Sequence, residues 1–110
     1  MGGSAGTAAR GKVTHSLIIR PEAEQDLGEG RDWYEVRRDG LGAEFLTAVD
    51  EVFDRIRDTP ELFAAEYKAV RRVGLAGFPY VVYDRIVGDS VEVIAVQHGS
   101  RSPRRWRSRA

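Results

Sequence analysis

The stretch from Phe78 to His98 most limits what this chain can fold into. Phe78-Pro79-Tyr80-Val81-Val82-Tyr83 and Val91-Glu92-Val93-Ile94-Ala95-Val96 are β-branched and aromatic runs, separated by the turn residues Gly88-Asp89-Ser90. With Val70 to Ala76 ahead of them and a break at Gly77, they read as an antiparallel three-stranded meander. A sheet this apolar has to bury a face, and the segment that covers it lies upstream. Phe45, Leu46, Val49, Val52, Phe53 and Ile56 recur at three- and four-residue steps, the stripe of an amphipathic helix, which Thr59-Pro60 ends. An earlier helix starts at Pro21, whose φ suits a first turn, with Glu22 and Glu24 placed to complement the helix dipole. Its inner face holds Ala23, Leu27, Gly30 and Tyr34, widened by Trp33, until Asp39-Gly40 breaks it just past Arg38. The short Gly40-Leu41-Gly42 turn makes the two helices an antiparallel hairpin. Val13 to Ile19 is a first strand, and Glu61 to Lys68 has room for one helical turn. The expected fold is α+β, a small β-α-α-β-β-β domain whose antiparallel sheet carries the helical hairpin on one face.

At 110 residues and 42% hydrophobic composition there is material for one core. Residues 1–12 are small, polar and glycine-rich and read as a disordered extension; the domain spans 13–107, and 108–110 form a C-terminal tail. The absence of cysteine excludes a disulfide framework, a thiolate zinc site and a cysteine nucleophile. Two histidines, His15 and His98, are too few for a His-rich metal cluster, and no metal or cofactor is expected. No apolar run approaches the roughly 20 residues that span a bilayer, so a cytoplasmic protein is expected. The formal net charge of zero hides a division: residues 1–67 hold 8 Lys+Arg against 14 Asp+Glu, and residues 68–110 hold 9 against 3.

Chemistry, if present, gathers on the basic part. Arg71-Arg72, Tyr80 with Tyr83, and His98 followed by Arg101 lie on three successive strands, and strands about 4.8 Å apart can bring such side chains together. RNA cleavage through a ribose 2′-OH needs a base, an acid and cations, roles open to His98 or Tyr83 and to Arg72 or Arg101. The plainer reading is that paired arginines hold a solvated face and a strand-end histidine bonds locally. Arg104-Arg105-Trp106-Arg107 interleaves cations with an aromatic ring and could dock on nucleic acid, although Trp106 suits a cap on the core better. Trp33 and Tyr34 more often close a core than form a site, yet a partner could cover part of them. Glu22, Glu24, Asp26, Glu29, Asp32 and Glu35 occupy different helix faces and make no metal cage.

The run from His15-Ser16-Leu17-Ile18-Ile19-Arg20-Pro21-Glu22-Ala23 through Asp26-Leu27, Trp33-Tyr34, Gly40-Leu41-Gly42 with Phe45-Leu46, Arg71-Arg72, Phe78 to Tyr83, and His98-Gly99-Ser100-Arg101-Ser102-Pro103 with Trp106 resembles the RelE/ParE toxins of type II toxin–antitoxin modules. It is most similar to the ParE or plasmid-stabilisation branch. The resemblance implies a toxin that arrests growth, a cognate antitoxin that neutralises it, and either DNA gyrase or ribosome-bound mRNA as target. On the nuclease alternative the catalytic set would be His98, Arg101, Arg72 and Tyr83. Against it, the tail position that is often Tyr in RelE is Trp106, whose indole exchanges no proton at neutral pH. Gyrase-directed action is therefore preferred, with an mRNA endonuclease and a non-toxic remnant that only binds antitoxin as alternatives. Target-binding residues are expected at Arg71, Arg101, Arg104, Arg105 and Trp106, and antitoxin-binding residues at Trp33, Tyr34 and Arg71.

Overall fold

The computed structural model describes residues 15–58, 65–67 and 69–110. The extension over 1–12, the first residues of the expected strand at Val13 and Thr14, and the Thr59-Pro60 stop lie outside the described residues. The elements are β1 (Ser16–Ile19), α1 (Pro21–Arg37), α2 (Leu41–Asp58), β2 (Ala65–Tyr67), β3 (Val70–Gly74), β4 (Tyr80–Val87), β5 (Ser90–His98) and the short α3 (Arg104–Arg107). One sheet contains all five strands in the order β1-β5-β4-β3-β2. It is antiparallel from β3 to β5, as the meander predicts; β2 adds a further antiparallel strand beside β3, and β1 is added parallel to β5 at the other edge, with Ser16 opposite Ser90 and Ile19 opposite Val93.

Two expectations change. Ala65–Tyr67, within the Glu61 to Lys68 stretch that has room for one helical turn, is a strand antiparallel to β3. Pairing with the open edge of β3 supplies backbone bonds to a segment too short to offset helix nucleation. Residues 108–110, expected as a C-terminal tail, are packed on the domain: Arg109 pairs with Asp26, and Ala110 packs against the apolar cluster around Trp106.

The helical hairpin covers one sheet face. From α2, Phe45, Ala48, Val49, Val52, Phe53 and Ile56 are buried against Val73, Val82, Val91, Val93 and Val96. Phe45 and Ile56 are wholly buried, and each such side chain contributes about 1.5–3 kcal/mol. The inward stripe of α1 is narrow, Ala23, Asp26, Gly30 and Tyr34. Gly30 lets α1 approach Phe45 so closely that an added Cβ would lie 2.8 Å from its ring. At the hairpin turn, Gly40 takes φ +87°, and the Glu35 carboxylate accepts the Gly40 and Gly42 amides at 3.0 and 2.9 Å. Those two N–H groups hold the Glu35 pKa below the ordinary value.

The opposite sheet face packs Val70, Val81, Tyr83, Ile94, Ala95 and Trp106 together, so α3 is its lid. A β-bulge divides β5 between the two faces. Tyr83 pairs with Ala95 but Asp84 pairs with Val93, which leaves Ile94 as the extra residue. Val93 and Val96 consequently face the helices, whereas Ile94 and Ala95 both face α3.

Candidate functional site

On the helix side a groove of about 400 Å³ runs between α1 and the adjoining ends of β4 and β5, lined by Trp33, Tyr34, Pro79, Tyr80, His98, Ser100 and Arg101. Tyr34 is 9% exposed and belongs to the core, touching Phe45, Phe78 and Tyr80 at ring distances of 5.4, 4.9 and 5.9 Å. Little of it is left to line the groove. Trp33, by contrast, is half exposed, and the Arg37 guanidinium lies 3.2 Å over its ring. The His98 ring meets Tyr80 edge-on at 5.6 Å. Its Nδ1 accepts the Ser100 amide at 3.1 Å, and the Ser100 Oγ lies 2.8 Å from the same nitrogen. That backbone donor assigns the neutral ring's proton to Nε2. Burial raises the phenol pKa of both Tyr34 and Tyr80, further from the range of a base at neutral pH.

The other face carries Arg72, Tyr83, Gly99, Arg101, Pro103, Trp106 and Arg107 around a cleft of about 100 Å³. Tyr83 is 3% exposed, stacked on Trp106 at 4.5 Å with 18° between the planes. The expectation that Trp106 caps the core holds for the ring, and its place among target-binding residues is corrected: a stacked, buried indole offers no face to a partner. Arg71 is corrected for the same reason. Expected at two partner surfaces, it is buried, donating from Nε to Asp84 Oδ1 at 3.1 Å and from Nη2 to Asp84 Oδ2. Burial pushes the Asp84 carboxyl pKa up, and the Arg71 guanidinium opposes the rise. The adjacent Arg72 points the other way and is exposed, as alternation along a strand requires.

Arg101, Arg104 and Arg105 are exposed, and none of them takes part in the ion pairs formed by the described residues. A turn closed by the Arg101 amide on the His98 carbonyl at 2.9 Å puts Arg101 on the rim shared by both faces. The residues expected to cooperate in cleavage are thus divided. Arg72, Tyr83 and Arg101 line one cleft, and His98 faces the helix-side groove with Arg101 between them. Sequence reasoning missed Asp26, Asp84 and Arg109. Asp26 had one signal: a carboxylate three residues after Ala23 and four before Gly30, in the middle of the buried stripe.

Residues 17–103 match the family described as the ParE toxin of the parDE type II toxin–antitoxin system. Toxin ParE2 of Mycobacterium tuberculosis, in two strains, is 30% identical over 92 residues, which cover 83% of this chain and 88% of the relative. A solved chain from the chromosomal ParDE toxin–antitoxin system of P. aeruginosa superposes with a TM-score of 0.67 over 77% of this chain and 96% of that one, a likeness of fold at 20% identity. Among the described residues no helix is long and apolar enough to cross a membrane. With the helical hairpin packed on the sheet in the order the resemblance implies, the chain belongs to the ParE family of toxins from type II toxin–antitoxin systems, whose members have a cognate antitoxin.

Proposed function

We propose that this toxin arrests growth by binding DNA gyrase in the cytoplasm through Arg101, Arg104 and Arg105, and that the antitoxin occupies the groove beside Trp33, Tyr80 and Arg101. The observation that carries a binding mechanism over a nuclease is the placement of Tyr83 and His98 on opposite sheet faces, Tyr83 sealed beneath Trp106. Cleavage at a ribose 2′-OH needs its base and acid within reach of one phosphate. Cations on an exposed rim need no such pairing to engage an acidic surface.

Induction in cells followed by mapping of mRNA ends, with supercoiling assayed on purified gyrase, tests this reading. Supercoiling should be lost with mRNA intact. Arg101→Ala should weaken the effect and His98→Ala should be mild. For a nuclease, losing an acid or base costs about a hundredfold or more. Codon-positioned cuts that disappear in His98→Ala would reject the gyrase reading.

A further inference from the structure

Strand β1 ends at Ile19, and the last bond on that edge of β5 runs from the Arg20 amide to the Val93 carbonyl at 3.1 Å. Beyond it, β5 turns backbone groups toward an edge where, among the described residues, no strand adjoins, and buried groups of this kind are costly when left unpaired. Two side chains take the place of the missing strand. The Asp26 Oδ2 accepts the Val96 amide at 3.0 Å, and Arg109 Nη1 donates to the carbonyl of the bulged Ile94 at 3.2 Å. Asp26 and Arg109 then join each other, Nη1 to Oδ2 at 2.7 Å and Nη2 to Oδ1 at 3.3 Å, with side chains 9% and 18% exposed. The Arg109 carbonyl is held in turn by Arg20 Nη1, while Arg20 Nε grips Glu92 at 3.0 Å. Arg109 is therefore fastened by side chain to α1 and β5 and by its carbonyl to Arg20 at the junction of β1 and α1, and α3 with Arg104 and Arg105 lies two residues before it.

We propose that Arg109 is a positioning residue for the target surface: its fork on Asp26 and Ile94 holds α3 against the sheet and fixes where Arg104 and Arg105 point. This rests on the reading of those arginines as the gyrase-binding rim. Arg109 lies outside the 17–103 stretch that defines the family match. Arginine suits the task because one planar fork satisfies both carboxylate oxygens and a carbonyl, which a lysine ammonium cannot do from one position.

The test uses the full chain as Arg109→Ala, Arg109→Lys and the double variant Arg104→Glu with Arg105→Glu. Each is measured for inhibition of gyrase supercoiling, for antitoxin affinity and for amide exchange. In Arg109→Ala the Ser108 and Arg109 amides, now bonded to the Arg104 and Trp106 carbonyls, should exchange about tenfold faster or more. Gyrase inhibition should need about tenfold more protein, with antitoxin affinity held within about twofold, because neither Arg109 nor its partners Asp26 and Ile94 line the antitoxin groove. Arg109→Lys should fall between the parent and Arg109→Ala, and if the alanine variant does not fold, the lysine variant decides on the same readouts. Parental gyrase inhibition by the deciding variant, unchanged exchange, or antitoxin affinity lost in step with inhibition would overturn the proposal. A double variant that inhibits like the parent removes the rim reading and the positioning role with it. An inactive double variant beside a fully active Arg109→Ala removes the positioning role alone.

Discussion

Two glycines on α1 make opposite predictions from the same chemical change. Gly30 and Gly28 are both interior to the helix, and Gly→Ala in such a position gains about 0.8–1.0 kcal/mol of propensity. At Gly28 an added Cβ meets nothing within 4 Å, so Gly28→Ala keeps the whole gain. At Gly30 the methyl would sit 2.8 and 2.9 Å from Phe45 Cζ and Cε2 and 3.4 Å from Tyr80 Cε2. Phe45 cannot swing aside: it is fully buried, with Tyr34, Phe78 and Tyr80 at ring distances of 5.4, 5.6 and 5.0 Å. Overpacking of this sort costs about 1–3 kcal/mol, more than the propensity gain through most of its range. Gly30→Ala should therefore lose about 1 kcal/mol net, and in a domain of this size each 1 kcal/mol moves the thermal midpoint by about 4–8 °C. Far-UV circular dichroism on heating, with urea titration for free energies, should place Gly28→Ala above the parent and Gly30→Ala below it. Phe45→Leu should restore part of the loss when combined with Gly30→Ala, a favourable coupling between two destabilising changes. A Gly30→Ala variant as stable as Gly28→Ala would refute the close helix approach on which the core assignment rests.

Arg71→Ala should cost about 3–5 kcal/mol, because it strands the wholly buried Asp84 carboxylate without the guanidinium; urea unfolding measures it, and a loss under 1 kcal/mol would contradict the buried pairing. Acid should unfold the protein partly through Glu92, whose pKa the Arg20 guanidinium and then Arg85 hold below the ordinary value. That contribution is present above the unfolded Glu pKa and lost as pH falls through the lowered one, so Glu92→Gln should be less stable than the parent at pH 7 and converge with it in acid. Asp84 works with the opposite sign: its raised pKa adds stability below the unfolded value, and the contribution fades as pH rises through the raised one. Trp33→Ala should weaken antitoxin binding and leave gyrase inhibition by the free toxin unchanged, as measured by calorimetry and supercoiling in parallel.

Periodicity made α2 legible because Phe45, Leu46, Val49, Val52, Phe53 and Ile56 form one continuous stripe, of which all but Leu46 are buried. Turn chemistry did the same for the β4–β5 hairpin, where Gly88 alone of the two loop residues has positive φ, +60°, as a type II′ turn requires. What escaped was long in sequence or short in length. Strand β2 has three residues, too few to show alternation, and is defined only by the edge it joins. The Asp26–Arg109 pair spans 83 residues and answers a need that arises only because β1 stops before β5 does. Arg71 and Arg72 read alike as neighbours in the sequence, yet strand alternation gives one to the core and the other to solvent.

The residue that separates the candidate functions is one that neither function uses. Along an unbroken β5, side chains alternate, and residues an odd number of positions from Val93 would all face away from the helices. His98 is five positions on and would then share a face with Tyr83 and Arg72, within reach of the arrangement that RNA cleavage demands. The extra residue at Ile94 shifts the alternation, so that Ile94 and Ala95 both face α3, Val96 returns to the helices, and His98 follows it to stand opposite Tyr80. The same shift presents the Ile94 carbonyl and Val96 amide to Arg109 and Asp26, which tie down the end of α3 over Tyr83. One inserted residue thus turns the histidine away from Arg72 and Tyr83 and also creates the anchorage that seals the tyrosine. A binding rim is what remains when those two groups are withdrawn from it, so the proposal of a binding mechanism over cleavage rests on the strand's register more than on any single side chain.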